Sequence, residues 1–265
     1  MLAREREIEV RLELARQIAQ EAADGTLAYF CSRDLKVEQK EDLSPVTIAD
    51  REAERLLRKR IEASFPDDGI EGEEFGSQSG KSAFRWLLDP IDGTKSFVSG
   101  VPLFGTMVAV LCEDEPQIGV MEFPALGESI YAARGQGAWH SKVGKSPVAS
   151  HVSAVDRLSS GLFCTTAIET FESTDRFHLF QSLQHRARLT RTWGDCYGYL
   201  LVATGRAELM VDPELNTWDT AALLPILEEA GGTLTDFSGE KTIFGGEAVA
   251  TNGHIFPEVL KLISA

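Results

Sequence analysis

From Phe84 to His140 the chain reads as one strand-like run after another, and beyond residue 155 such runs alternate with helical ones. This switch narrows the fold more than any other feature. Phe84–Leu88 leads into Asp89-Pro90, Thr106–Leu111 and Gln117–Glu122 flank an acidic turn at Glu113–Pro116, and Ser129–Ala133 and Gly137–His140 extend the same sheet. The later half predicts strands at Leu162–Thr166, Ala187–Thr192, Ala207–Val211, Gly232–Thr235 and Ala248–Thr251. Between and after them it predicts helices at Asp175–Gln184, Asp195–Thr204, Asp219–Ala230 and Pro257–Ile263. A sheet-rich half followed by an alternating half argues a layered α/β (α+β) protein. The polar stretch Gly144–Val155 is the expected boundary between parts 1–150 and 151–265.

Two helices precede the sheet. Ile8, Leu12, Ala15, Ala19 and Ala22 trace one face of a helix over residues 4–23. Ser32–Ser44 is polar and reads as a loop. Thr47-x-x-Asp50 then has the form of a capping box, and Ala53, Leu57 and Ile61 give the helix after it an apolar stripe.

Charge and cysteine usage exclude several classes. Across 265 residues, 41 acidic side chains face 26 basic ones, a formal charge of −15. Such a chain repels phosphate backbones and anionic membranes, so no nucleic-acid or membrane partner is expected. No apolar run approaches the roughly 18 residues of a membrane span. Charges interrupt the N-terminal segment, which therefore does not read as a signal peptide. Cys31, Cys112, Cys164 and Cys196 form no CxxC pair, which suits reduced thiols and a cytoplasmic setting.

Familiar motifs fail. There is no phosphate-binding G-x-x-x-x-G-K-[ST] loop and no H-E-x-x-H, and Gly76–Gly80 has Gln78 where a nucleophile elbow needs serine. Three acidic clusters remain: Gly72-Glu73-Glu74, Asp89-Pro90-Ile91-Asp92-Gly93-Thr94 and Trp218-Asp219. Each alone has a structural reading: loop surface, a turn, and a helix N-terminus. Asp89 and Asp92 together with the Ile91 carbonyl offer oxygen-only ligands suited to a hard cation, and Gly93 and Thr94 could offer N–H groups to a phosphate. Asp50, Asp195 and Asp212 also have structural readings, as a capping-box acid, a helix cap and a turn residue. Tyr197 and Tyr199 read as partly core, Cys196 as packing, and His178, His185 and His254 as surface.

These blocks in this order, with Val46-Thr47-x-x-Asp50 before them and Glu229-Ala230-Gly231-Gly232 after, resemble the inositol monophosphatase family. The resemblance implies a layered α/β/α/β/α sandwich and a lithium-sensitive phosphomonoesterase. It implies two or three Mg2+ ions, with Mn2+ possible, and a homodimer. Carried over residue by residue, it makes Glu73, Asp89, Ile91 (by its carbonyl), Asp92 and Asp219 metal ligands. Asp50 would support a further metal through water. Glu73 and Thr94 would orient and deprotonate the attacking water, and Gly93 and Thr94 would hold phosphate. Asp92, Gly194, Asp195, Asp212 and Asp219 would contact substrate. Asp212 stands where the family usually has Glu. The stretch Arg191–Arg206 is most similar to the histidinol-phosphatase branch, in which an acidic residue and an aromatic follow the glycine. L-Histidinol phosphate is the small phosphomonoester this implies, with inositol 1-phosphate the alternative and fructose 1,6-bisphosphate and adenosine 3′,5′-bisphosphate further back. A dehalogenase-type phosphatase is disfavoured because Pro90 stands where its motif needs an acid. A binding protein that kept this fold without catalysis is disfavoured by the intact acidic set.

Overall fold

The computed structural model describes residues 2–40 and 44–264. Helix α1 (Leu2–Thr26) buries Ala15, Ile18, Ala19 and Ala22 along the stripe read from sequence. Part of the expected Ser32–Ser44 loop is a strand instead: β1 (Val37–Gln39) pairs antiparallel with β2 (Pro45–Thr47). All of β1 is exposed, so it carries no alternation by which it could be read. Residues 41–43 of that segment lie outside the described residues. Helix α2 (Ile48–Ser64) opens with the expected capping box, in which the Thr47 hydroxyl accepts from the Ala49 amide and Asp50 accepts from the Thr47 amide at 2.8 Å.

The first sheet has eight strands: β3 (Gly69–Gly72), β4 (Gly76–Gln78), β5 (Phe84–Asp92), β6 (Gly105–Cys112), β7 (Glu115–Phe123), β8 (Glu128–Ala133), β9 (Ala138–Lys142) and β10 (Val148–Ala149). Their order is β10-β9-β8-β7-β6-β5-β3-β4, antiparallel except where β3 runs parallel to β5. Helix α3 (Thr94–Val98) interrupts the path from β5 to β6. The acidic turn is tighter than expected. It consists of Glu113 and Asp114, at left-handed φ values of 53° and 64°, and Pro116 sits inside β7.

The second sheet joins β11 (Leu162–Cys164), β12 (Leu189–Arg191), β13 (Leu209–Asp212), β14 (Thr233–Thr235) and β15 (Ala248–Thr251) in the order β12-β11-β13-β15-β14. Helices α4 (Glu169–Ser173) and α5 (Phe177–Arg186) follow β11, α6 (Asp195–Ala203) follows β12, and α9 (Phe256–Ile263) ends the described chain. The single helix expected over Asp219–Ala230 is two, α7 (Thr217–Ala221) and α8 (Leu223–Glu229). Pro225 has no N–H for the Ala221 carbonyl, so the helical ladder cannot run through.

Strand alternation sorts the cores. On β5, Trp86 and Leu88 join Leu57 and Ile61 of α2 and Ile18 of α1, while Leu87 points the other way. There it joins the cluster that holds Leu200 of α6 and Ile226 and Leu227 of α8. The second sheet closes this middle layer with Leu162, Cys164, Met210 and Ala250. Its outer residues Phe163, Leu209, Val211 and Val249 pack on Phe180 of α5 and Val259 of α9. The result is the expected α/β/α/β/α sandwich.

Candidate active site

Asp89 and Asp92 are three residues apart and would point to opposite faces of a regular strand. They do not here, because the β5–β6 register slips between them: Asp89 opposes Met107 while Asp92 opposes Gly105. This bulge re-aims Asp92 toward Asp89. Asp219 arrives from α7, where one of its oxygens caps the Asn216 amide at 2.7 Å. One carboxylate oxygen from each of Asp89, Asp92 and Asp219 lies within 4.8 Å of the other two. Asp219 thus caps its own helix and also stands within the acidic cluster.

The cluster is electrostatically tense. Burial, then Glu73, Asp92 and Asp219, hold the Asp89 carboxyl well above its ordinary range. Burial and Asp219 push Asp92 up to about 7, although the Cys196 amide donates to it. Asp219 rises to about 7, chiefly through burial. Among the described residues, Oδ1 of Asp89 is buried with no hydrogen-bond partner. A crowded, all-oxygen donor set with an orphaned buried oxygen fits a hard divalent cation, which would satisfy the lone pairs and relieve the repulsion.

Glu73 enters at the end of β3, its amide donating to the Leu88 carbonyl at 3.2 Å. Burial raises its carboxyl, with Glu74 and Asp50 adding to the rise and Lys40 opposing it. The Lys40 ammonium lies 2.6 Å from Glu73 and 2.5 Å from Glu74. Behind them, fully buried Glu54 accepts from the Glu74 amide at 2.7 Å and the Phe75 amide at 3.2 Å. Gly72 leaves room for this carboxylate, since a Cβ there would fall 2.2 Å from Glu54 Oε1 and force it to move.

Gly93 turns the chain at φ 85° and α3 begins at Thr94. The Thr94 hydroxyl donates to the Ile91 carbonyl at 2.9 Å and lies 3.4 Å from Asp50. Asp50 is buried and also accepts the Thr47 hydroxyl at 2.6 Å. It does not line the cavity and reaches it through Thr94.

The opposite wall is organised by Thr166. Its hydroxyl accepts the Asp195 amide at 2.9 Å and donates to Asp212 at 3.0 Å. Gly194 lies against it so closely that a Cβ would fall 2.2 Å from Thr166 Cα. Gly194, not Asp195, is the N-cap of α6, so the helix-cap reading of Asp195 does not hold. Asp195 sits at a left-handed φ of 51° and its carboxylate faces Ser96 at 3.3 Å. Burial, then Asp92 and Asp212, raise it to about 8. Asp212 is deeply engaged. It accepts from Thr165, from the Thr166 amide and hydroxyl, and from Tyr199.

A cavity of about 330 Å3 takes its lining from Glu73, Asp89, Ile91, Asp92, Gly93, Thr94, Asp195, Asp212 and Asp219. Asp50 and Gly194 stand behind its walls. Sequence reasoning did not single out Lys40, Glu54, Ser96 or Thr166. Lys40 lay in a stretch read as loop, and Glu54 and Thr166 carry no motif. Tyr199, read as core, also lines the cavity.

The inositol monophosphatase family matches residues 6–264. A histidinol-phosphatase from Chlorobaculum parvum is 47% identical over 240 residues, 91% of this chain and 91% of that protein. One from Streptomyces coelicolor is 39% identical across 94% of this chain and 95% of its own length. Among solved structures, an inositol monophosphatase from Zymomonas mobilis superposes with a TM-score of 0.84 at 31% identity, covering 97% of this chain and 98% of that one. Sequence and fold agree along almost the whole length, and the chain belongs to the inositol monophosphatase family.

Proposed function

We propose that this protein is a Mg2+-dependent phosphomonoesterase that hydrolyses L-histidinol phosphate to L-histidinol and phosphate. The observation that carries the reading is near end-to-end similarity to histidinol-phosphatases, 47% and 39% identical. The placement of Asp195 supports it. That carboxylate borders the Gly93 turn, where a Cβ on Gly93 would lie 3.0 Å from Asp195 Oδ2. In histidinol phosphate the ammonium sits one carbon beyond the ester CH2, so a phosphate at Gly93 and Thr94 brings it toward Asp195.

Asp89, Asp92, Asp219, Glu73 and the Ile91 carbonyl would hold two or three Mg2+ ions, or Mn2+ in their place. Bound there, the cations would neutralise phosphate charge and make water easier to deprotonate. Thr94 and Glu73 orient the attacking water, and Glu73 accepts its proton. Asp50 lies against the Thr94 hydroxyl and would support a further metal through water. Gly93 and Thr94 amides grip phosphate, Asp92 and Asp219 meet the reacting end of the substrate, and Gly194 and Asp212 shape the wall behind Asp195. The new P–O bond forms to the water oxygen as the ester P–O bond breaks, and the departing alkoxide oxygen takes a proton from a solvent water to leave as the alcohol. The 1–150 part supplies Glu73, Asp89 and Asp92, and the 151–265 part supplies Asp195 and Asp219. We also read the enzyme as a lithium-sensitive cytoplasmic homodimer. No helix among the described residues is long and apolar enough to cross a membrane.

The test is a panel of phosphate-release assays with the purified protein. Histidinol phosphate should give the highest kcat/KM against inositol 1-phosphate, fructose 1,6-bisphosphate and adenosine 3′,5′-bisphosphate. EDTA should abolish release and added Mg2+ restore it. Preference for inositol 1-phosphate would overturn the substrate, and EDTA-insensitive turnover would overturn the metal.

A further inference from the structure

We propose that Glu214 is the residue that receives the imidazole of the substrate and so sets specificity at the mouth of the cavity. The inference rests on the histidinol phosphate reading. That substrate has two groups able to carry positive charge at different distances from phosphorus: an ammonium close to the ester and an imidazole further along the chain. Asp195, beside the Gly93 turn, is placed for the nearer one. The farther one needs a second carboxylate further out.

Asp212 does not meet that need. A carboxylate has about four lone-pair sites. Thr165, the Thr166 amide, the Thr166 hydroxyl and the Tyr199 hydroxyl supply four donors to Asp212, and its side chain is buried. A substrate nitrogen would have to displace one of them. Its role is to hold the wall.

Glu214 lies two residues on, lines the same cavity and is exposed. It makes no hydrogen bond or ion pair among the described residues. Its backbone is nevertheless held from both sides. Asp212 is locked before it, the Leu215 amide donates to the Gly246 carbonyl at 2.8 Å, and the Asn216 amide donates to Asp219. Thr166, which accepts the Asp195 amide, also holds Asp212, so Asp195 and Glu214 hang from one frame. A free, exposed carboxylate on a fixed backbone, in a pocket whose more buried carboxylate borders the phosphate turn, offers a partner for a second cationic group farther from phosphorus.

Steady-state kinetics of the Mg2+-loaded full-length enzyme on histidinol phosphate and on phosphoethanolamine tests this. Phosphoethanolamine keeps the ammonium in the same place and lacks the imidazole. In Glu214→Gln the ratio of kcat/KM for histidinol phosphate over phosphoethanolamine should fall about five- to tenfold, the range of a charge-assisted hydrogen bond weakened by exposure. The fall should lie in KM, with kcat little moved, and Glu214→Asp should recover part of it. A high wild-type ratio that Glu214→Gln leaves in place, or a loss seen in kcat alone, overturns the proposal while the substrate reading stands. A wild-type ratio near one overturns both.

Discussion

Glu54 gives the sharpest test of how the fold positions the site. It is fully buried, and its carboxylate is shared among Arg58 Nε at 2.7 Å, the Glu74 amide and the Phe75 amide. Glu54→Ala would leave the guanidinium of Arg58, whose side chain is 12% exposed, without its carboxylate. Breaking a buried ion pair by removing one partner costs about 3–5 kcal/mol. Orphaned amides cost about 1–3 kcal/mol where water cannot reach them, and that cost is reduced at Phe75, which is 42% exposed. The two costs overlap, so a loss of about 3–4 kcal/mol is expected, toward the lower end of the ion-pair range. At roughly 2–4 °C per kcal/mol, the melting temperature should drop by about 6–16 °C. Glu54→Gln keeps an acceptor oxygen and the shape, so it should lie between alanine and wild type. The functional consequence follows from the same contacts. Glu54 pins the turn that carries Glu73, so Glu54→Ala, assayed well below its melting point, should lose kcat/KM on every phosphomonoester alike. Thermal melts and initial rates check both. An alanine variant melting within about 2 °C of wild type with full activity would refute the argument.

Other outcomes follow from single residues. Asp92→Asn should lower turnover at least about a hundredfold while keeping the wild-type circular dichroism, because a ligand charge is lost from a cluster that costs stability when empty. Normal turnover by the folded variant would remove Asp92 from the site. Glu122 is raised to about 8, chiefly by burial and then by Asp24, so the wild type should lose stability as pH climbs from about 4.5 through 8. Glu122→Gln should match wild type near pH 4 and exceed it by about 2–4 kcal/mol above pH 8, as urea midpoints against pH would show. Asp195→Gly should stabilise the fold by about 1–2 kcal/mol by relieving its left-handed φ. The same variant should lower kcat/KM on histidinol phosphate about ten- to a hundredfold, and unchanged kinetics would make Asp195 purely structural.

What could be read from the chain was whatever repeats over enough residues. The stripes of α1 and α2 and the apolar strand-like runs of β5 through β8 leave traces that point to a layered α/β protein, while the five-layer order came from the family resemblance. The exposed β1 and the break between α7 and α8 leave none, since three residues carry no period and the break depends on one proline. At the site, the residue types were legible and the geometry was not. Asp89 and Asp92 share a cavity because the β5–β6 register slips, a feature fixed by pairing with a strand more than ten residues away. Asp195 looks like a cap, but Gly194 takes that position and the left-handed turn swings the carboxylate toward Ser96. Thr166 and Glu54 act on partners that are distant in sequence, which only the finished fold brings to them. The net charge of −15 says little about any of this, because most of those carboxylates can be solvated. The informative ones are the few that the fold buries against each other: Asp89, Asp92, Asp195 and Asp219 around one cavity, each held above its ordinary range. Folding alone gains nothing from that arrangement, since each buried carboxylate weakens its neighbours. The cost is recovered only when positive charge enters, and the cavity has room for it in two forms: cations among the three clustered aspartates and a cationic substrate along the wall of Asp195.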